Sequence, residues 1–279
     1  MSLDKSFLHK TFAYRGIIMA AFGTEKRQEE NKYSMPTFYQ VLVHKKDWSE
    51  KKFPTDSTVY LSDNKEGRVL NVINGLDSVP HSDILPLNIL PCSSEEFKPL
   101  AIFEHDLFST LFKLIDESKP ELGYEPVENL NKQRSWMIPR THHENVSESI
   151  FVSITTYYLG SSISTGQLKH YWRYVIRIQN LSGESVVLRE RAIKIFSLNN
   201  LTQVTAQGVL GEFPVLTKEN SAYQFSSTID LPQRKGGHVW GRLTFQRGDA
   251  STFEVDLPTT TLECSTEDTL KHTSENTIY

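Results

Sequence analysis

The second half of the chain alternates apolar and polar positions with a period of two. From Trp172 onward every second residue of Tyr171–Gln179 is apolar, and a similar alternation runs through Val239–Phe245 and Thr252–Leu257. Three further apolar segments bring the number of candidate strands to at least six: Ile150–Tyr158, Val186–Ile195 and Ala222–Ile229. Alternation of this kind is typical of antiparallel strands that bury one face and expose the other. The pattern therefore predicts an immunoglobulin- or fibronectin-like β-sandwich over residues 149–264.

Residues 11–90 contain shorter apolar segments, which polar turns separate. The segments are Thr11–Met19, Thr37–His44, Ser57–Leu61 and Val69–Ile73. Strands this short and this closely spaced are typical of a small barrel or a curled sheet. We therefore predict a small β-barrel-like module at the N-terminus, in a chain that is mainly β.

The segment Glu104–Glu117 has a different period. Its apolar residues follow helical steps of four and one: Leu107, Phe108, Leu111, Phe112 and Ile115. This spacing predicts a helix with one apolar face, ended by Pro120 and Gly123. Residues 91–148 carry a net charge of −5, so they are interpreted as a short acidic helical connector that packs on one of the two modules. The polar residues 265–279 are expected to be disordered.

Composition narrows the classes of function. The net charge of the 279 residues is −4, with +1 over residues 1–90 and +3 over residues 149–262. Such a balance does not favour a dedicated nucleic-acid protein. Two distant cysteines, Cys92 and Cys264, favour a reduced compartment over a disulfide framework. No segment is apolar enough to span a bilayer, and no signal or transit peptide is visible.

Residues of the predicted sandwich carry a resemblance to the ApaG domain. They are Tyr171–Tyr174, Val187–Arg191, Gly208–Gly211, Tyr223–Ser227 and Gly237–Gly241. The first module resembles the YccV/HspQ-like fold through Tyr14–Ile17, Phe38–Leu42 and His81–Pro86. These two modules in this order, with an acidic insert between them, resemble the DNA polymerase delta-interacting protein 2 family over Phe12–Glu263.

This resemblance implies a non-enzymatic protein-binding adaptor that needs no cofactor. Members of the family bind DNA polymerases and the sliding clamp, and they engage the mitochondrial Clp protease. The expected compartments are the mitochondrial matrix, the nucleus or both. Direct binding of nucleic acid and association with membranes are not expected.

Partner proteins are expected to dock on exposed strand edges or loops. The candidate residues lie in the 208–214 loop, on the strand before it, near the start of the first module and in the 44–53 hairpin. They are Gly208, Gly211, Pro214, Arg189, Arg191, Tyr14, Arg15, Lys45, Lys46 and Trp48. Alternation places Arg189 and Arg191 on the face of Val187 and Ile193, where they form either a binding edge or a structural ion pair.

Two alternative functions rest on single motifs. Ala206-x-Gly208-x-x-Gly211 is an incomplete glycine-rich loop of the kind that binds phosphate or pyrophosphate, but no helix is predicted after it. The basic and aromatic residues between His44 and Phe53 suit single-stranded nucleic acid, but acidic residues dilute them. His142 and His143 are adjacent, so on a strand they point to opposite faces and do not predict a metal site.

Overall fold

The chain divides into two units, and neither is continuous in sequence. The first comprises Met1–Phe53 and Ile73–Arg134, and the second comprises Pro54–Val72 and Ser135–Tyr279. The computed structural model describes residues 6–22, 36–47, 58–64, 67–86, 103–116, 118, 124–127, 135–164, 166–198 and 200–265. The predicted limits 11–90, 91–148, 149–264 and 265–279 remain predictions, and residues 54–72 group with the second unit.

Strands dominate both units, which confirms the mainly β prediction. In chain order they are β1 (Ser6–His9), β2 (Arg15–Phe22), β3 (Phe38–Val43), β4 (Thr58–Asn64), β5 (Gly67–Ile73), β6 (Leu76–Pro80), β7 (Ile84–Pro86), β8 (Phe112–Leu114), β9 (Tyr124–Pro126), β10 (Pro139–Ser147), β11 (Ile150–Ser164), β12 (Gln167–Asn180), β13 (Val186–Ser197), β14 (Asn200–Gln207), β15 (Val215–Leu216), β16 (Ala222–Leu231), β17 (Gly237–Arg247) and β18 (Thr252–Leu262). The helix α1 is a single turn, Phe108–Leu111, and 3₁₀ turns form at Lys45–Asp47, His81–Asp83 and Ser135–Met137.

The first unit contains an antiparallel sheet of order β6-β3-β2-β1-β7. Its edge strands β6 and β7 are separated in sequence by only the turn His81–Asp83. A chain that passes from one edge to the other in three residues requires a strongly curled sheet. Within the described residues no ladder joins these two edges, so the module is barrel-like without being closed.

The start of this sheet corrects one predicted strand. Thr11–Met19 is not continuous, because a turn with Ala13 at a φ of 55° separates β1 from β2. Gly16 then permits a close approach of the two strands. A Cβ atom at Gly16 would stand 2.5 Å from the ring of Phe7, so the packing of that ring requires glycine.

The acidic connector forms much less helix than its periodicity predicts. The helix ends at Leu111, and Phe112 adopts an extended conformation and pairs with Pro126 of β9. The rings of Phe108 and Phe112 stack with centroids 5.0 Å apart. Both rings are buried by this arrangement, so helical spacing is not needed to bury the apolar positions.

The connector packs within the first unit, a point that the sequence leaves open. The ring of Phe103 meets His44 edge-on at 5.2 Å. The backbone N–H of Lys45 donates to the carbonyl of Glu104 at 2.7 Å. Residues 103–106 are therefore fixed against the turn that follows β3.

The second unit is a sandwich of two antiparallel sheets, as predicted. One sheet has the order β10-β11-β12-β16 and the other β14-β13-β17-β18, with β15 also paired to β13. Their inner faces share one core, in which Trp172 packs on Tyr158 at 4.8 Å. The edges β10 and β18 meet, and Thr141 and Thr260 share a hydrogen bond there. The opposite edges, β14 and β16, leave that side of the sandwich open.

The hairpin β4–β5 packs on the outer face of the first of these sheets. The ring of Tyr60 stacks on Trp136 at 5.2 Å, and Arg68 donates to the carbonyl of Ser161 at 2.9 Å. The outer face of β12 over Tyr171–Gln179 is consequently buried or half-buried. The alternation in this segment predicted that the face is exposed to solvent, and that prediction was wrong. Arg173, which lies on that face, is 4% exposed and covers the ring of Tyr157.

Candidate protein-docking surfaces

A tight turn joins β14 to β15 at residues 208–214, here called the glycine turn. The N–H of Val209 donates to the carbonyl of Glu212 at 2.8 Å, and the reverse bond measures 2.9 Å. The two residues between them, Leu210 and Gly211, have φ values of 51° and 84°. A Cβ atom at Gly208 would stand 1.9 Å from the carbonyl oxygen of Glu212. Glycine at position 208 is therefore a requirement of the turn.

The glycine turn presents apolar side chains to solvent. Leu210 is 82% exposed in the left-handed region, which disfavours side chains such as leucine by about 1–2 kcal/mol. Phe213 and Val215 are exposed beside it. The guanidinium of Arg189 lies over the ring of Phe213 at 5.1 Å and donates to Gln246 at 2.7 Å. We call these four side chains, Arg189, Leu210, Phe213 and Val215, the apolar patch.

A β-bulge separates the two arginines that the sequence analysis places on one face. Leu188 pairs with Phe245 and Glu190 pairs with Thr244, so Arg189 is the extra residue of β13. The bulge shifts the alternation, and Arg191 then shares the inward face with Ile193 while Arg189 is exposed. The predicted common face was therefore wrong.

Arg191 holds the glycine turn from inside the sandwich. Its Nε donates to the carbonyl oxygen of Gly208 at 2.9 Å, and its guanidinium lies over Phe225 at 5.4 Å. Pro214 is buried, and its carbonyl accepts from the N–H of Leu188 at 2.9 Å. Arg191, Gly208, Gly211 and Pro214 are therefore parts of the frame that presents the apolar patch.

The glycine turn offers little to an anion. The N–H groups of Gly208, Val209 and Glu212 already donate to carbonyls within the protein. The next element is the strand β15, so no helix N-terminus faces the turn. These features favour a docking turn over a phosphate loop.

Three basic residues of the first unit are paired with carboxylates. Arg15 makes two-pronged hydrogen bonds of 2.8 Å to Asp47. Lys45 contacts Asp106 at 2.6 Å and Lys46 contacts Glu104 at 2.9 Å, so the acidic connector covers this cluster. These ammonium groups lower the pKa values of Asp106 and Glu104, and Arg15 lowers that of Asp47.

Two other candidate residues, Tyr14 and Trp48, are close in sequence to this cluster but are not part of it in the structure. Tyr14 is buried in the core and donates its hydroxyl to Asp77 at 2.9 Å. Trp48 lies outside the described residues. A cluster that is neutralised in this way provides few cations for phosphate groups.

His81 and His142 form hydrogen bonds with nearby side chains. Nδ1 of His81 contacts the hydroxyl of Tyr39 at 3.0 Å, and His142 contacts Thr155 at 2.8 Å and Glu144 at 2.9 Å. Among the described residues, His, Cys, Asp and Glu form no group of three or more that could hold a metal ion. In the same part of the chain no helix is long and apolar enough to cross a membrane. Cys264 is a buried cysteine outside any disulfide, and Cys92 lies outside the described residues.

The open side of the sandwich forms a groove that the sequence analysis misses. It has a volume of about 660 Å³ between β14 and β16, and we call it the edge groove. Its walls include Ile195 and Thr202 on one side and Ile229 and Leu231 on the other. Because β14 has no strong apolar alternation, it is not predicted as a strand and the groove beside it cannot be foreseen.

Comparisons with known proteins agree with this sandwich. The family model of the ApaG domain matches residues 161–247. An ApaG protein of Brucella anthropi is 36% identical over 119 residues, covering 42% of this chain and 90% of the relative. An X-ray structure, Northeast Structural Genomics Consortium target SoR45, is 26% identical with a TM-score of 0.40, covering 44% of this chain and 92% of that one. The family model and the Brucella relative thus show that the second unit contains an ApaG domain.

Two relatives extend the match across both units. Polymerase delta-interacting protein 2 of Homo sapiens and that of Mus musculus are each 33% identical over 287 residues. The match covers 94% of this chain and 75% of each relative. The chain belongs to the polymerase delta-interacting protein 2 family.

Proposed function

We propose that the chain is a non-catalytic adaptor that binds other proteins through the apolar patch of its ApaG domain. The observation that carries this proposal is the presentation of Leu210, which is 82% exposed in a strained conformation at the tip of a rigid turn. Backbone strain is retained where the surrounding structure enforces it, and it concentrates at functional sites. Aromatic and arginine side chains next to an exposed apolar tip are frequent anchors of protein interfaces.

The partners proposed from family membership are DNA polymerase subunits and the sliding clamp in the nucleus, and the Clp protease in the mitochondrial matrix. The name of the mammalian relatives describes an interaction with a polymerase, which supports a protein partner. Neither that name nor that of the ApaG domain describes a reaction. This supports an adaptor over an enzyme.

Direct nucleic-acid binding has less support as a function. Arg15, Lys45 and Lys46 are each engaged by a carboxylate of the first unit. A surface that binds nucleic acid needs cations that are available to phosphates. Phosphate or pyrophosphate binding at the glycine turn has less support for the reasons given above.

Affinity capture tests the adaptor function. The intact chain and a Leu210→Asn variant are each incubated with separate nuclear and mitochondrial extracts, and captured proteins are identified by mass spectrometry. Asparagine accepts the left-handed conformation but removes the apolar tip. A Leu181→Asn variant is the matched control, because Leu181 is an exposed leucine in another turn.

We expect polymerase, clamp or Clp subunits to be enriched by the intact chain and by Leu181→Asn. Leu210→Asn should retain less than about a tenth of that enrichment, the loss expected when a central anchor is removed. Equal capture by both variants would exclude the apolar patch. Failure of the intact chain to enrich any protein would contradict the adaptor function.

A further inference from the structure

Among the described residues the two sheets of the sandwich have four long edge strands, and three of them carry features that prevent pairing with another chain. Strand β10 contains Pro139 and a register shift, and β18 contains Pro258 and a register shift. Strand β16 carries Asp230, which forms an ion pair with Lys169 at 2.7 Å. Charges, prolines and bulges are the usual protection of edge strands.

Strand β14 lacks every one of these features. Its eight residues include no charge and no proline, and its pairing with β13 runs from Asn200 to Gln207 without a register shift. Seven of the eight residues are exposed. Within the described residues no strand pairs with its outer edge. A long, straight and neutral edge of this kind is a template for another strand.

The edge groove lies beside β14 and offers space for the side chains of an added strand. Thr202 is opposite Ile195, and Val204 is opposite Ile193, so Thr202 and Val204 lie on the inward face of β14. A strand added beside β14 places every second side chain on that same face. Those side chains enter the edge groove, whose far wall includes Ile229 and Leu231.

We infer that β14 and the edge groove bind an extended, uncharged segment of a partner protein by addition of a strand. The segment carries apolar side chains at alternate positions and small polar ones between them. This inference rests on the proposed adaptor function and assigns it a second recognition surface, distinct from the apolar patch. Backbone hydrogen bonds to β14 supply affinity, and the alternate pockets supply specificity.

The length of β14 selects a peptide segment over a second copy of the chain. Stable dimers bury about 20–30 residues on each side, whereas β14 has eight. The segment must also be neutral to match its surroundings. The groove wall includes one carboxylate, Asp230, and Lys169 already neutralises it.

A displayed library of random ten-residue segments tests this inference against the intact chain. Selected segments are then measured by fluorescence anisotropy with Val204→Lys and Thr202→Lys, which place a charge on the exposed inward face of β14. Leu168→Lys is the matched control, because Leu168 is an exposed strand residue outside the groove. Thermal unfolding of each variant verifies that the sandwich is intact.

We expect selected segments to be uncharged with alternating apolar residues. Both β14 variants should weaken their binding at least about tenfold, and Leu168→Lys less than about twofold. Absence of enriched segments, or equal binding by all variants, overturns the inference. Dimerisation in sedimentation experiments that Val204→Lys abolishes also overturns it, because the edge then serves a second copy. If no segment binds to β14 but capture of partner proteins still depends on Leu210, this inference fails and the proposed adaptor function is retained. The two failures are therefore distinguishable.

Discussion

The Nε–H group of Arg191 donates to the carbonyl oxygen of Gly208 at 2.9 Å. This bond connects the half-buried Arg191, in the middle of β13, to the glycine turn. Replacement of Arg191 by methionine keeps most of the apolar stem and removes the donor. We expect a loss of about 1.5–3 kcal/mol in the free energy of unfolding, as for other hydrogen bonds to charged groups. Urea denaturation measures this value.

Arg189→Met provides the comparison for that substitution. Arg189 is exposed, and its partner Gln246 remains accessible to water after the change. Its effect on unfolding should stay within about 0.5 kcal/mol. Equal effects of the two substitutions would show that Arg191 does not hold the turn.

Valine substitutions at Gly208 and Gly211, two glycines of the same turn, distinguish the effect of a steric clash from that of an unfavourable φ. Valine at Gly208 meets the carbonyl of Glu212 and an unfavourable φ, whereas valine at Gly211 meets open space and only an unfavourable φ. Gly208→Val should therefore destabilise the sandwich more than Gly211→Val, for which about 1–2 kcal/mol is expected. Thermal and urea unfolding of the two variants give the order. The reverse order would contradict the geometry of the turn.

Leu210→Asn should also change stability, and in the favourable direction. The substitution relieves a left-handed leucine and exposes no new core, so unfolding should require about 1 kcal/mol more free energy. A gain in stability together with a loss of partner capture is the signature of strain kept for function. A loss of stability would instead show that Leu210 has a packing role.

Acidification should weaken the attachment of the acidic connector. Burial lowers the pKa values of His44 and His105 below the ordinary value of about 6.5. Both groups therefore take up a proton less readily in the folded first unit than in the unfolded chain. Because the unfolded chain binds more protons, stability falls as the pH decreases through about 6.5 toward the folded pKa values.

Hydrogen exchange of residues 103–112 between pH 7.5 and 5 measures this effect. Protection should fall with the pH in the intact chain. His105→Gln should flatten the profile, because the amide keeps a polar contact near Asn74 without a titrating ring. A profile that is identical in the variant would remove His105 as a cause.

The stacked pair Tyr60 and Trp136 should contribute to the stability of the second unit. Trp136 is 2% exposed, so Trp136→Ala removes a fully buried aromatic side chain. We expect a loss of about 3–5 kcal/mol, as for other large aromatic truncations in cores. Unfolding of the second unit, followed by the fluorescence of its remaining tryptophans, tests this value. A loss below about 1 kcal/mol would show that the packing of the β4–β5 hairpin on Trp136 contributes little to stability.

The sequence predicts the sandwich well because its strands bury one regular face. Trp172, Ile176 and Ile178 lie in the core as their alternation indicates. The resemblance to the family also rests on residues of these strands and is confirmed across the chain. Strand periodicity is a local signal, and here the local and tertiary preferences agree.

Features that depend on contacts distant in sequence could not be predicted. The bulge at Arg189 places every later residue of β13 on the face opposite to the one that simple alternation predicts. No residue type in this segment indicates a bulge. The short helix at Phe108 ends because Phe112 pairs with Pro126 and stacks on Phe108. Strand β14 is polar and exposed, so its edge groove has no sequence signature beyond the absence of charge.

The contribution of residues 54–72 to the second unit has a consequence for biosynthesis. A ribosome completes the hairpin β4–β5 well before it synthesises Trp136 and the strands β10–β18. An isolated two-stranded hairpin is marginally stable in water. The hairpin therefore lacks the surface on which it packs until the rest of the first unit and the connector have been synthesised. Residues 135–265 then fold against a hairpin that was translated earlier, so the second unit forms only after the whole of the first unit has been synthesised.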